Sequence, residues 1–335
     1  MLEALHCGDS PQGPDCEPIE PIIDESIDPD PVEGSFSRTR VHKYLEAIQA
    51  LGDIPIPAAY SAGNTRLSLA RAILDTLWFD GSFKLEDLGI EAEWKLGGDN
   101  VGDMAAFYAS VSATTEMADA LGVRLDGYDI RQSDALGAVF SASAGTGAQS
   151  RKRTCPETAG ASATDWIIYM PFDTSEYRLG GSHLSRATGI PGGKAPEPVD
   201  TDYFMDCFEV VRELSEDGII KAGATVAEGG LMAALARMFS GDCGITADLG
   251  GISKACGQTD MVKLLFAEIP GVLIQIEDRD YDYIDAELLL QDVAYYPIGH
   301  PRPGGKGVKA IISADSGVSG ILQALLESTA SEGED

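Results

Sequence analysis

The sequence predicts a two-lobed chain of mixed α+β and α/β class that lies between two acidic tails. Helix-period and strand-period segments alternate through its middle, which excludes an all-α or all-β domain. A stretch rich in Gly, Ser, Ala and Thr at 145–164 divides this middle part, and Pro and acidic residues dominate the N-terminal end. A length of 335 residues suits two ordinary domains.

In the first half, the apolar spacing predicts a helix over 65–79 and a longer helix over 102–121, with Gly122 as its C-cap. Alternation predicts strands at 90–94 and 139–142.

The second half contains stronger patterns of the same two kinds. Strands are predicted at 166–170, 273–276, 295–298 and 308–312, and helices at 201–216, from 229 onwards, at 284–291 and at 318–326.

These patterns predict an acidic disordered tail over 1–37, an N-terminal lobe over 38–150, a C-terminal lobe over 151–327 and an acidic tail over 328–335. The stretch at 145–164 fits a long surface loop as well as an inter-lobe boundary.

The composition and charge of the chain limit the classes of function that it can have. The formal net charge of -30 argues against phosphate contacts to nucleic acid and against an anionic membrane surface. No apolar run is long enough to span a membrane, and the N-terminal residues do not resemble a secretory signal, so we expect a cytoplasmic protein. The acidic excess fits either a salty cytoplasm or acidic tails. The six cysteines and four histidines are too scattered for a zinc site.

Paired glycines are the first candidate for binding chemistry. Gly229 and Gly230 precede an apolar helical pattern, and a helix start can offer backbone N–H groups to a phosphate. Tight helix packing is the commoner explanation for such a pair. Gly180 and Gly181 form a second pair near a possible helix start.

Acidic residues in Gly-rich stretches are the second candidate. The segment 97–103 ends in Asp103 and fits either Mg²⁺ binding or helix N-capping. The segment 125–130 is interpreted as a turn that carries Asp126 and Asp129.

The order of several short blocks resembles one known family. These blocks are TRLSLARAIL at 65–74, GDMAAFY at 102–108, LGVRLDGYD at 121–129, RLGGS at 178–182, EGGL at 228–231, FAEIPGV at 266–272 and IGHP at 298–301. Over residues 42–313 the chain resembles the second synthase half of phosphoribosylformylglycinamidine synthases of the large single-chain type. That half belongs to the aminoimidazole ribonucleotide synthetase-like superfamily.

The resemblance implies a fold, a chemistry and partners. The fold has an N-terminal α+β lobe, which forms a shared barrel with a partner lobe, and a C-terminal α/β lobe. The chemistry is amidine formation in purine synthesis with ATP and Mg²⁺, using ammonia from a glutaminase domain. The implied partners are a second copy, another synthase half or a glutaminase chain.

The resemblance also implies site residues. Backbone contacts to nucleotide would come from Gly127, Gly180, Gly181, Gly229 and Gly230, and metal contacts from Asp103, Asp129 and Glu228.

Departures from the family pattern weaken the implied catalysis. The family's His-Asp pair falls on Ala224 and Thr225, its Lys and Ser fall on Tyr128 and Ile130, and its second acid falls on Met104. Phosphoryl chemistry needs carboxylates and a cation at set points, so we name no catalytic residue. Two hypotheses follow: a fragment, subunit or degenerate homologue of the synthase with residual nucleotide binding, or a non-catalytic protein-interaction scaffold.

Overall fold

The structure, a computed structural model, describes residues 33–51, 58–81, 83–97, 101–132, 138–146, 152–196 and 200–313. The predicted C-terminal helix at 318–326, the tail at 328–335 and most of the N-terminal tail lie outside these residues.

The N-terminal lobe is a three-stranded sheet with helices on one face. The first helix, α1 (Val41–Gln49), falls within the predicted N-terminal lobe but packs against the C-terminal lobe, where its Tyr44 and Ile48 are buried. The elements of the N-terminal lobe itself are α2 (Ala58–Asp75), β1 (Gly89–Leu96), α3 (Val101–Leu121), β2 (Arg124–Gln132) and β3 (Ala138–Gly145). The strand order is β2-β1-β3, with β1 parallel to β2 and antiparallel to β3. Gly122 adopts the left-handed conformation that ends α3.

The C-terminal lobe contains a four-stranded and a three-stranded sheet. Its elements are β4 (Trp166–Pro171), α4 (His183–Thr188), α5 (Thr201–Glu216), β5 (Ala222–Val226), α6 (Gly230–Met238), β6 (Cys243–Asp248), α7 (Gly250–Cys256), α8 (Met261–Phe266), β7 (Gly271–Ile276), α9 (Tyr281–Leu290), β8 (Tyr296–Gly299), β9 (Pro301–Pro303) and β10 (Gly307–Ile311). The strand orders are β5-β7-β4-β8, paired antiparallel throughout, and β10-β6-β9. The mixed α+β class is confirmed.

The two lobes share one apolar core. Side chains of α2 and β1, among them Ile73 and Ile90, are buried in the same cluster as Ile168 of β4, Phe208 of α5 and Ile274 of β7. The apolar spacing of the predicted helix at 201–216 also predicts one buried stripe, and in α5 that stripe, which includes Phe204, Phe208 and Val211, faces this core. Asp200 caps the helix by accepting a hydrogen bond from the N–H of Tyr203 at 3.1 Å.

Two sequence interpretations are wrong in detail. Residues 125–130 form part of β2 rather than a turn, because β2 pairs along β1 from Arg124 to Gln132. The predicted tail also extends too far, because residues 33–37 contact the C-terminal lobe. Phe36 packs against a second apolar cluster, which includes Leu184 of α4 and Leu235 of α6, and Glu33 pairs with Lys263 at 2.8 Å.

Candidate functional site

A buried carboxylate joins the two predicted glycine pairs. One oxygen of Glu268, which follows α8, accepts hydrogen bonds from the N–H of Gly229, the N–H of His183 and Nδ1 of His183, each at 2.8 Å. Gly229 caps α6 in the left-handed conformation, and His183 opens α4 directly after Gly180, Gly181 and Ser182. Glu268 therefore holds the starts of two helices together.

The charge of this carboxylate is stabilised by its neighbours. Burial alone raises the pKa of Glu268, but the His183 ring and the N–H donors of His183 and Gly229 lower that pKa below its usual value overall. Arg186 lies beside the same imidazole, with Nη2 at 3.1 and 3.2 Å from its two nitrogens. The result is a compact charged cluster under the α6 start.

Backbone N–H groups of the glycine pairs, which were expected to face a phosphate, donate hydrogen bonds to other groups of the chain. The N–H of Gly229 goes to Glu268, that of Gly230 to the carbonyl of Ala227 at 2.9 Å, and that of Gly180 to the carbonyl of Lys194 at 2.9 Å. Side chains at Gly180 or Gly230 would meet backbone atoms of neighbouring segments, and one at Gly181 would meet Tyr60. Close packing is therefore the role that the structure gives these glycines.

A cleft of about 410 Å³ lies between the lobes beside this cluster. It is lined by Arg71, Asp75, Trp78, Phe79, Arg153, Glu157, Thr225, Ala227, Glu228 and Arg237, and we call it the arginine cleft. Its walls come from α2 in the N-terminal lobe and from β5 and α6 in the C-terminal lobe.

Each arginine of the cleft already has an intramolecular acceptor. Arg71 lies 3.6 Å from Glu228, and Arg237 pairs with Glu157 at 3.0 Å. Arg153 donates to the carbonyl of Gly223 at 3.2 Å. An incoming anion would compete with these acceptors for the guanidinium groups.

Thr225 occupies the position where the resemblance expects the family's aspartate. Its Oγ1 accepts a hydrogen bond from Trp78 Nε1 at 2.9 Å and donates to Asp75 at 2.7 Å. The carboxylate of Asp75, which belongs to α2, therefore lies next to the position where the family has its aspartate.

The three predicted metal-facing acids lie in different surroundings. Asp103 is buried in the first turn of α3, Asp129 is exposed on β2 and paired with Arg131 at 2.7 Å, and Glu228 lies in the arginine cleft. No group of three or more His, Cys, Asp or Glu side chains in the described ranges is arranged to hold a metal ion. The predicted magnesium set therefore does not fit one site.

Two of these acids differ in electrostatic environment as well. Burial raises the pKa of Glu228, and the opposing charge of Arg71 limits the rise. Asp129, by contrast, lines a separate groove of about 550 Å³ together with Gly127, on the open face of the β2-β1-β3 sheet.

Sequence reasoning missed Glu268 and the three arginines of the cleft. The sequence did contain a signal for Glu268, because this residue lies in the FAEIPGV block. The arginines carried no local signal, since Arg71, Arg153 and Arg237 are brought together only by the packing of the lobes. Among the described residues, no helix is both long and apolar enough to cross a membrane.

Comparison with known proteins identifies sequence relatives. Residues 165–307 match the family model described as AIR synthase related protein, C-terminal domain. Human phosphoribosylformylglycinamidine synthase is 24% identical over 302 residues, which cover 85% of this chain and 22% of the human protein. A probable chloroplastic/mitochondrial phosphoribosylformylglycinamidine synthase of Arabidopsis thaliana is 26% identical over 264 residues, covering 75% of this chain and 18% of that protein. The chain thus spans about a fifth of the length of these relatives.

Solved structures share the fold. T. maritima PurL complexed with FGAR aligns with a TM-score of 0.58 at 12% identity, covering 81% of this chain and 42% of that chain. PurLQS from Thermotoga maritima aligns with a TM-score of 0.54 at 12% identity, covering 82% of this chain and 47% of that chain. At this level of identity the likeness concerns the fold alone.

Proposed function

Because this chain is a relative of the AIR synthase-like phosphoribosylformylglycinamidine synthases, we propose that it serves purine biosynthesis in the cytoplasm as a synthase-like unit that depends on a partner chain. The observation that carries the proposal is the fold shared with T. maritima PurL, together with a charged cleft between the two lobes.

The arginine cleft is the proposed nucleotide-binding place. T. maritima PurL has been solved in complex with ATP and with ADP, on a fold that this chain shares. Guanidinium groups suit phosphate recognition. The carboxylates that already face Arg71 and Arg237 make this binding weak, and the net charge of -30 weakens it further at low salt.

Unaided catalysis is not part of the proposal. Thr225 stands where the resemblance expects an aspartate, and Asp103, Asp129 and Glu228 do not come together as a magnesium set. The family's lysine falls on Tyr128, so this chain offers no lysine at that point to neutralise phosphate charge.

The open sheet of the N-terminal lobe is the proposed partner surface. Among the described residues, β2 and β3 are edge strands, and Tyr128 and Ile130 on β2 are both more than 40% exposed. Unpaired edges with apolar side chains favour association. We propose a second copy of this chain or another synthase half as the partner.

An ATP titration tests the proposed nucleotide role. With a Kd of about 1 mM, about 10 mM ATP·Mg²⁺ should stabilise the folded chain by about 1.4 kcal/mol, a shift of a few degrees in Tm. Arg237→Met should abolish the shift, and Lys309→Met, which removes an exposed cation on β10, should keep it. A shift of several degrees at sub-millimolar ATP would contradict weak binding.

An activity assay tests the dependence on a partner. With formylglycinamide ribonucleotide, ATP, Mg²⁺ and ammonium, the isolated chain should form no amidine. Turnover by the isolated chain would refute that dependence.

The protein-interaction scaffold remains the second candidate, and the exposed apolar side chains on β2 favour it. It predicts self-association or partner binding without any ATP-dependent stabilisation. Tyr128→Ser with Ile130→Ser should lower the mass measured by light scattering if the open sheet pairs two copies. Unchanged association would exclude β2 as the interface.

A further inference from the structure

A second charged cavity lies outside the arginine cleft and shares no residue with it. This cavity of about 480 Å³ lies between residues 176–178, the loop at 192–194 and the segment from Cys256 to Lys263. Three cationic side chains line it: Arg178, Lys194 and Lys263. We call it the basic pocket, and it stands out in a chain with only 24 basic residues and a net charge of -30.

An acidic side chain from the N-terminal arm reaches into the basic pocket. The carboxylate of Glu33 pairs with Lys263 Nζ at 2.8 Å. The arm is held beside the pocket, since the N–H of Gly34 donates to the carbonyl of Pro191 at 2.7 Å and a side chain at Gly34 would overlap Ile190. The pocket thus already holds one anionic group, supplied by the chain itself.

A second ion pair in the wall of the pocket can be replaced by an incoming anion. Arg178 pairs with Glu176 at 2.8 Å, but the Glu176 side chain is 79% exposed. Exposed pairs of this kind contribute little free energy, so a better anion can recruit Arg178. Glu33 is also partly exposed, at 41%, while Lys263 is at 22%.

We propose that the basic pocket binds a small phosphate-containing anion and that Glu33 occupies the pocket in its absence. A phosphate dianion offers more charge and more acceptor oxygens than one carboxylate, and guanidinium and ammonium groups bind it through charge-assisted hydrogen bonds. Displacement of Glu33 releases the arm at residues 33–34, so occupancy of the pocket is coupled to the position of these two residues. The proposal does not depend on the nucleotide role of the arginine cleft.

Cys256 provides a site-specific readout, because it lines the pocket and is exposed, while Cys155, Cys207 and Cys243 are buried. The full chain is alkylated with iodoacetamide at increasing concentrations of inorganic phosphate, and the Cys256 peptide is quantified by mass spectrometry. Sodium chloride of equal ionic strength controls for screening. Phosphate should slow the modification of Cys256, and chloride should not.

Variants test the assigned contacts. Lys263→Met and Arg178→Met should each weaken protection by phosphate about tenfold or more, because each removes a charge-assisted hydrogen bond. Glu33→Gln should strengthen protection about two- to fivefold, which is the range expected when an exposed competing ion pair is removed. Lys309→Met, the matched change on β10, should leave protection unchanged.

Three results would overturn the proposal. They are equal slowing by phosphate and chloride, equal effects of Lys263→Met and Lys309→Met, and a Glu33→Gln variant with unchanged phosphate affinity. The last result would remove Glu33 as the competing group even if phosphate binds.

Discussion

Replacing Glu268 by glutamine should destabilise the folded chain strongly at neutral pH. Glu268 is buried, and one of its oxygens accepts from two backbone N–H groups and one imidazole nitrogen, all at 2.8 Å. A neutral amide oxygen retains the geometry but not the charge. Hydrogen bonds to charged groups exceed neutral ones by about 1 kcal/mol, so three such bonds give a loss of about 3 kcal/mol.

The pH dependence of this loss has a defined sign. The folded-state pKa of Glu268 is lowered, so its stabilisation is fully present above the pKa of the unfolded chain and is lost as the pH falls through the folded pKa. The difference between wild type and Glu268→Gln should therefore shrink as the pH falls below about 4.

Urea unfolding at several pH values measures both effects as a change in midpoint at constant slope. Glu116→Gln is the matched control, because Glu116 is exposed and pairs with Arg66 at 2.9 Å, an interaction worth about 0.2–1 kcal/mol. A loss below about 1 kcal/mol for Glu268→Gln, or a loss equal to that of the control, would refute the role of Glu268 as the junction of two helix starts.

Further variants address the interface between the lobes and the arginine cleft. Gly223→Ala should cost about 1–3 kcal/mol in the free energy of unfolding, because its Cβ would overlap the indole of Trp78; a normal midpoint in urea would contradict this. Thr225→Val should cost about 1–3 kcal/mol by leaving Trp78 Nε1 without its acceptor, and Thr225→Ser should restore most of the stability. Glu228→Gln should stabilise the chain at neutral pH, because a raised folded pKa means that the charged carboxylate costs stability above that pKa; thermal unfolding should show this advantage shrinking as the pH falls from the raised folded pKa toward the pKa of an unfolded glutamate, about 4.3, and an advantage that stays constant down to that pH would count against it.

Local patterns allowed much of the fold to be predicted. Helix α3 was expected to end at Gly122, and the stripe of α5 was expected to be buried, because both follow from periodicity within one segment. The mixed fold class and the relationship to the synthases were predictable on the same basis, since both rest on the order of elements and short blocks along the chain. The net charge, also a property of the sequence alone, argues against nucleic acid as a phosphate-contacting partner.

Only the tertiary structure decided which groups face one another. The segment 125–130 looked like a turn from its glycine and acids, yet pairing with β1 makes it a strand, because ladder hydrogen bonds outweigh local propensity. In the glycine pairs that suggested phosphate binding, the N–H groups of Gly229, Gly230 and Gly180 donate to Glu268 and to the carbonyls of Ala227 and Lys194, and Glu268 lies 39 residues from Gly229 in the sequence. The arginine cleft and the contact between Glu33 and Lys263 likewise join distant segments. Hydrogen bonds and ion pairs act over a few ångströms, so they depend on the packing of the lobes, which no local pattern encodes.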